Sequence, residues 1–215
     1  MNCIVTAGPT YESLDDVRRL TNFSTGRLGS EFASFLSERG HSVTLLLGEQ
    51  ASYRDPNQAA EIQAFTSTED LREKLQKLAL GDTQALFHAA AVSDYKFGRI
   101  WVRAKSGDMV EVKSGKISTR DGPLLAELVP TPKIISELRE WFPKARIIGW
   151  KYEVEGDRTD AISLSARQIT ECRTDRAVAN GPAYGDGFGL VAGDGSHVHL
   201  RDRLALFNAL EKFIR

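Results

Sequence analysis

Short apolar runs alternate with stretches of helical period along most of this chain, and that alternation confines it to βαβ units built on a mainly parallel sheet. "NCIVTAG" reads as a first strand and "GRLGSEFASFLSERG" as a helix, with Leu28, Phe32, Phe35 and Leu36 at helical spacing and Gly40 closing it. "HSVTLLLG" and "EIQAF" read as strands. "STEDLREKLQKLAL" reads as a helix with Ser67 as N-cap and acids in its first turn, which suits the dipole. "ALFHAAAVSD" is a fourth strand that runs out in small residues.

The helical period vanishes from Tyr95 to about Pro130. "RIWVRAK", "DMVEVKSGKI" and "PLLAELV" alternate there as two-sided strands punctuated by Gly107, Gly115 and Gly122, so the segment reads as an antiparallel insertion. The parallel pattern then resumes with "TPKIISELREWF", a helix with Pro132 in its first turn, the strand "ARIIGW", a helix from Asp157 to Arg173 and the strand "RAVAN". "GFGLVAG" and "HVHLRD", separated by "DGS", form a closing hairpin before a terminal helix from Arg203. A length of 215 residues suits one α/β domain over 1–215, with the insertion at about 95–130.

The 28 Lys and Arg nearly cancel the 29 Asp and Glu, so no global field points to nucleic acid or a membrane surface, and anions must be held by local features. Met1 leads straight into an apolar run without a basic region before it, and no later run approaches a membrane span, so the sequence reads as a cytoplasmic protein. Cys3 and Cys172 lie too far apart in sequence to suggest a zinc site or a disulfide framework.

Ligands of an open α/β sheet collect beyond the carboxyl ends of its strands. Four segments end there: "TAGPTYES", which carries Gly8 and Thr10, "AAAVSDYK", "GWKYE" and "VANG". "LTNFSTGRLG" runs into a helix N-terminus, where unpaired N–H groups favour an anion. Ser24 and Thr25 add hydroxyls, Gly26 lets a phosphate approach, and Gly29 lets the helix pack closely on the sheet. The competing reading is that Ser24 and Thr25 only cap the helix. Neither G-x-G-x-x-G directly after the first strand nor G-x-x-x-x-G-K-[ST] is present. Asp94 follows three alanines at a strand end, where it suits Mg²⁺, a ribose hydroxyl or local capping; Glu49 reads as a solvated loop acid. His88, inside an apolar strand, reads as a core histidine, and Lys116 as a cation on a loop of the insertion.

"TAGPTYESLDDVRRLTNFSTGRLG", "AAAVSDY", "GKISTRDGPL", "LVPTPKII", "IIGWKYE" and "AVANG" come in the order and at about the intervals of the phosphopantothenate–cysteine ligase (phosphopantothenoylcysteine synthetase) family, which the chain resembles from Thr6 to at least Asn180. The resemblance implies a Rossmann-like fold with helices on both faces of the sheet and a small dimerisation region, hence a homodimer. It also implies a two-step reaction in coenzyme A biosynthesis: ATP or CTP with Mg²⁺ activates 4′-phosphopantothenate as an acyl-nucleotide, and cysteine then forms the amide.

By the same resemblance, Asn22 serves the acyl-nucleotide and its aminolysis, and Lys116 is a flexible-loop lysine near the triphosphate. Ser24, Thr25 and Gly26 match the phosphate-contacting turn. Ala90, Ala91 and Asp94 match the nucleotide-facing strand end, with Asp94 as the candidate metal ligand. Pro132, Ile134 and Trp150 match base and sugar contacts, Trp150 standing where bacterial members commonly have Phe. The chain departs from CTP-using bacterial members in having "KIST" for K-x-K-K, and Gln168 and Cys172 where they carry lysines. These departures favour ATP over CTP. No flavin is expected. An NAD(P)-dependent oxidoreductase and a non-catalytic nucleotide- or phosphopantothenate-binding protein are the alternatives.

Overall fold

A computed structural model describes residues 1–112, 115–118, 120 and 122–215; the part of the expected "DMVEVKSGKI" strand at 113 and 114 lies outside the described residues. The first half of the chain forms β1 (Asn2–Ala7), β2 (Tyr11–Ser13), β3 (Arg19–Thr21), α1 (Arg27–Glu38), β4 (Ser42–Gly48), β5 (Glu61–Phe65), α2 (Thr68–Leu78) and β6 (Ala85–His88). The second half forms β7 (Tyr95–Arg103), β8 (Met109–Glu111), β9 (Leu124–Pro130), α3 (Ile134–Trp141), β10 (Arg146–Tyr152), α4 (Arg158–Cys172), β11 (Arg176–Asn180), β12 (Phe188–Val191), β13 (His197–Leu200) and α5 (Arg203–Ile214).

The central sheet has the order β13-β12-β11-β10-β6-β1-β4-β5. Its strands are parallel from β11 to β5, and β12 and β13 add an antiparallel edge. From β1 the chain winds outward through β4 to β5, then returns to the other side of β1 at β6 and continues to β10 and β11. The order therefore reverses between β1 and β6, and a crevice opens beyond their carboxyl ends at such a reversal.

Side chains of successive strand residues leave on opposite faces, and each face has its own core. One holds Val5, Phe32, Leu36, Phe87, Ile148, Val178, Phe207 and Leu210 under α1 and α5. Phe32 is fixed between Phe87, edge-on at 4.7 Å, and Phe207 at 5.1 Å. The other face holds Ile4, Leu46, Leu71, Leu86, Ile134, Leu138 and Ile147 under α2 and α3. α4 adds Ala161 and Ile169 against Ala177, Ala179 and Tyr184. Full burial of each large aliphatic or aromatic side chain contributes about 1.5–3 kcal/mol.

The local signals act where the sequence places them. Ser67 Oγ accepts the Asp70 N–H at 3.2 Å, and Asp157 and Asp160 close a reciprocal capping box on α4. The insertion pairs antiparallel as β8-β7-β9. Three local expectations change. β6 stops at His88 instead of running to Asp94, because the Ala90 N–H is taken by Thr6 Oγ1 and the Ala91 N–H by the Gly8 carbonyl. Pro132 precedes the Lys133 N-cap of α3 rather than lying in its first turn; Thr131 is still tied to Ser93 and Asp94. The loop after β1 contains the β2–β3 hairpin, which no periodicity announces.

Candidate active site

The crevice beyond β1, β6, β10 and β11 is a cleft of about 1030 Å³. Gly8 leads its first wall. Gly8 has φ 82°, and the N–H of Ala91 donates to its carbonyl at 2.9 Å, while the Thr10 N–H donates to the Ala91 carbonyl at 3.1 Å. The loops after β1 and β6 are thereby laced together past the end of the sheet.

Asn22 joins them from the loop after β3. Its Nδ2 donates to the Ala91 carbonyl at 3.0 Å across 69 residues of sequence. That bond fixes the carboxamide and leaves its oxygen and second N–H for a ligand. Phe23 beside it is fully exposed at the rim.

Ser24, Thr25 and Gly26 lie where α1 begins, and its N-cap, Gly26, has no side chain to bond the first turn. Ser24 Oγ accepts only a long 3.4 Å contact from the N-cap Gly26, and Thr25 Oγ1 accepts the Arg27 N–H at 3.3 Å. The helix end is left to an outside partner, and N–H groups at such an end favour an anion. Gly26 has φ 77°, and a Cβ there would meet Ala51 Cβ at 2.9 Å and Gly8 Cα at 3.3 Å. Its missing side chain serves the packing of two loops as much as ligand approach. Gly29 does bring α1 onto the sheet, since a Cβ there would lie 2.6 Å from that of Ala7.

Ala90, Ala91 and Asp94 also line the cleft, with Pro132, Ile134 and Trp150. Asp94 is exposed. No group of three or more His, Cys, Asp or Glu that could hold a metal exists among the described residues. Arg27, Lys133 and Lys151 bring positive charge; Arg27 is paired with Glu31 at 2.7 Å and Lys151 with Glu153 at 2.8 Å.

Two expected site residues stand elsewhere. Thr10 is fully buried beneath the cleft, its hydroxyl accepting the Ser93 N–H at 2.8 Å and lying 3.4 Å from Thr68 Oγ1. Lys116 lies on a second, shallower depression with Val17, Arg18 and Ile117. Its segment is tied to the β2–β3 turn: Asp15 accepts N–H groups from Val17, Arg18 and Ile117 and pairs with Arg18, whose guanidinium also donates to the Ile117 carbonyl. The Arg18 guanidinium beside Asp15 holds its carboxyl well below the usual carboxylate range. Glu49 accepts the Tyr11 hydroxyl and does not line the cleft.

The cleft also gathers polar side chains that residue type alone does not single out. Trp150, Gln168 and Asn180 line it, and Trp150 Nε1, Gln168 Nε2 and Asn180 Oδ1 are buried with no hydrogen-bond partner among the described residues. His88 lines it too, so this histidine is not enclosed by the core alone. The pairing of β6 with β10 and of β10 with β11 brings His88, Trp150 and Asn180 together, and Gln168 reaches them from α4.

The family profile described as DNA/pantothenate metabolism flavoprotein C-terminal domain matches residues 1–205. The coenzyme A biosynthesis bifunctional protein CoaBC of Thermococcus kodakarensis is 33% identical over 178 residues, which are 82% of this chain and 40% of that protein. The chain thus spans less than half the length of this relative. The crystal structure of the DNA/pantothenate metabolism flavoprotein from Streptococcus pneumoniae superposes with a TM-score of 0.87 at 28% identity, covering 100% of this chain and 98% of that one. A Cab2 mutant in complex with phosphopantothenate-cysteine shares the fold at a TM-score of 0.71 and 19% identity, over 99% of this chain and 84% of that one.

Proposed function

From the premise that the chain belongs to the DNA/pantothenate metabolism flavoprotein C-terminal domain family, we propose that it ligates cysteine to 4′-phosphopantothenate at the expense of ATP or CTP. The observation that carries this reading is the cleft at the β1/β6 reversal, which Asn22, locked to the Ala91 carbonyl, shares with the start of α1.

In the first step the phosphopantothenate carboxylate attacks the α-phosphorus, and pyrophosphate leaves. In the second the cysteine amine attacks the acyl carbon, the amide forms and the nucleoside monophosphate departs. Neither step needs a covalent intermediate with the protein, so the chain acts by positioning and by stabilising charge. Asn22 orients the acyl carbonyl or the incoming amine. Ser24, Thr25 and Gly26 hold phosphate oxygens at the start of α1. Ala90, Ala91, Pro132, Ile134 and Trp150 form the walls against base and sugar. Mg²⁺ compensates phosphate charge when bound, and the single carboxylate of Asp94 suits it, because Mg²⁺ takes one or two carboxylates together with substrate phosphates. Lys116 adds a cation to the triphosphate once its loop and the cleft come together.

Two copies of the chain associate through the insertion, whose sheet leaves Tyr95, Met109, Val110 and Leu128 exposed. Light scattering at micromolar concentration is expected to give twice the chain mass, and a monomer at that concentration would oppose the assignment. The test of the activity is mass spectrometry of the products formed from 4′-phosphopantothenate, cysteine and Mg²⁺ with ATP or CTP. The amide is expected with at least one nucleotide, and its absence with both from folded protein contradicts the reading.

A further inference from the structure

Two side chains that line the cleft, His88 and Gln168, have no part in the steps above. Thr6, His88 and Gly149 follow Ile4, Leu86 and Ile147 on their strands by two residues, so they share the α2/α3 face of the sheet, opposite to the face that carries α1. Thr6 Oγ1 accepts the Ala90 N–H at 3.1 Å and lies 3.0 Å from His88 Nδ1. The Thr6 hydroxyl still has its proton and a second lone pair, so Nδ1 accepts from it in one imidazole tautomer and donates to it in the other. Burial pushes the imidazole down to about 4, so it is neutral at physiological pH and carries a single ring proton.

His88 pairs across the sheet with Gly149, and a Cβ on Gly149 would stand 2.6 Å from Gln168 Nε2. Glycine there opens the room that the carboxamide enters from α4. Gln168 is only 9% exposed, and its Nε2 is a buried donor without a partner among the described residues. Leaving such a donor unmet costs about 1–3 kcal/mol. Both residues line the cleft.

We propose that the His88 imidazole, with Nδ1 accepting from the Thr6 hydroxyl and the ring proton on Nε2, joins Gln168 Nε2 in an uncharged two-donor subsite that takes a neutral hydrogen-bond acceptor of a bound substrate, either the edge of the nucleotide's base or an amide carbonyl of phosphopantothenate. Both donors are neutral, so a phosphate buried against them would lack charge compensation. The uncapped start of α1 suits the phosphate, and the two ends of one ligand would then span the sheet edge. This subsite rests on the reading that the cleft receives those two substrates.

Titration calorimetry of the full chain with ATP, CTP and 4′-phosphopantothenate, each alone, tests it on His88→Phe, Gln168→Met and His88→Gln. His88→Phe and Gln168→Met are each expected to weaken the same ligand by about five- to a hundredfold. His88→Gln, which restores an N–H near the Nε2 position, is expected to recover to within about threefold. A selective loss for a nucleotide identifies the base as the acceptor, and a selective loss for phosphopantothenate identifies its amide. Affinities within twofold of the parent for all three ligands overturn the proposal while leaving the ligase reading intact. Equal losses for all three overturn it as well, because they mark a purely structural role. If His88→Phe fails to fold, Gln168→Met decides by the same criteria. Selective loss in a chain that makes no amide overturns the ligase reading and leaves the subsite; a parent chain that binds none of the three overturns both.

Discussion

His88 gives a stability prediction whose sign and size follow from its surroundings. Burial holds the imidazole at about 4, against 6.5 for the free side chain. Between those values the unfolded chain binds a proton that the folded chain does not, so stability falls as pH falls through that window. One proton over about 2.5 pH units corresponds to about 3 kcal/mol, fully retained above pH 6.5 and lost by pH 4. Carboxylates titrate in the lower part of the same window, so the informative quantity is the difference between the parent and His88→Gln, which cannot titrate there. Urea unfolding of both at several pH values from 7.5 to 4.5 is the assay. The parent is expected to lose about 1.4 kcal/mol per pH unit more than the variant below pH 6.5. Parallel pH profiles would mean that His88 titrates alike folded and unfolded and that its burial carries no such cost.

Asn22→Asp is expected to leave nucleotide binding within a few-fold of the parent while slowing amide formation at least about tenfold, since a charge replaces a neutral amide beside the acyl-nucleotide; single-turnover kinetics with cysteine added last would show it, and unchanged turnover would remove Asn22 from the site. Lys116→Gln is expected to slow pyrophosphate release, and normal release rules out its role on the triphosphate. Gly29→Ala forces a methyl to within 2.6 Å of Ala7 Cβ; a loss of about 1–3 kcal/mol in urea unfolding is expected, and a neutral result would mean that α1 lifts off the sheet without penalty.

Much of the architecture is legible because burial imposes periodicity. "EIQAF" is β5 to the residue, and Asp157 and Arg173 bracket α4 as its caps. The "GFGLVAG"–"HVHLRD" hairpin forms as expected. What sequence misses has no period to read. β2 and β3 are three residues each, and β3 is wholly exposed. The end of β6 depends on one hydroxyl, Thr6 Oγ1, reaching an N–H 84 residues away. The site is partly legible for the same reason. The start of α1 and the strand ends announce where a ligand collects, but the Asn22 to Ala91 bond is a long-range contact, and His88 reads as core because its neighbours are apolar. Gln168 becomes visible only once Gly149 is seen to make room for it.

The most direct test of the ligase account is pyrophosphate release by the purified chain, with ATP and CTP in separate reactions, before and after cysteine is added. Release is expected to require 4′-phosphopantothenate, to stop near one equivalent per site without cysteine, and to turn over once cysteine is present. No phosphopantothenate-dependent release with either nucleotide, from folded protein, would contradict it.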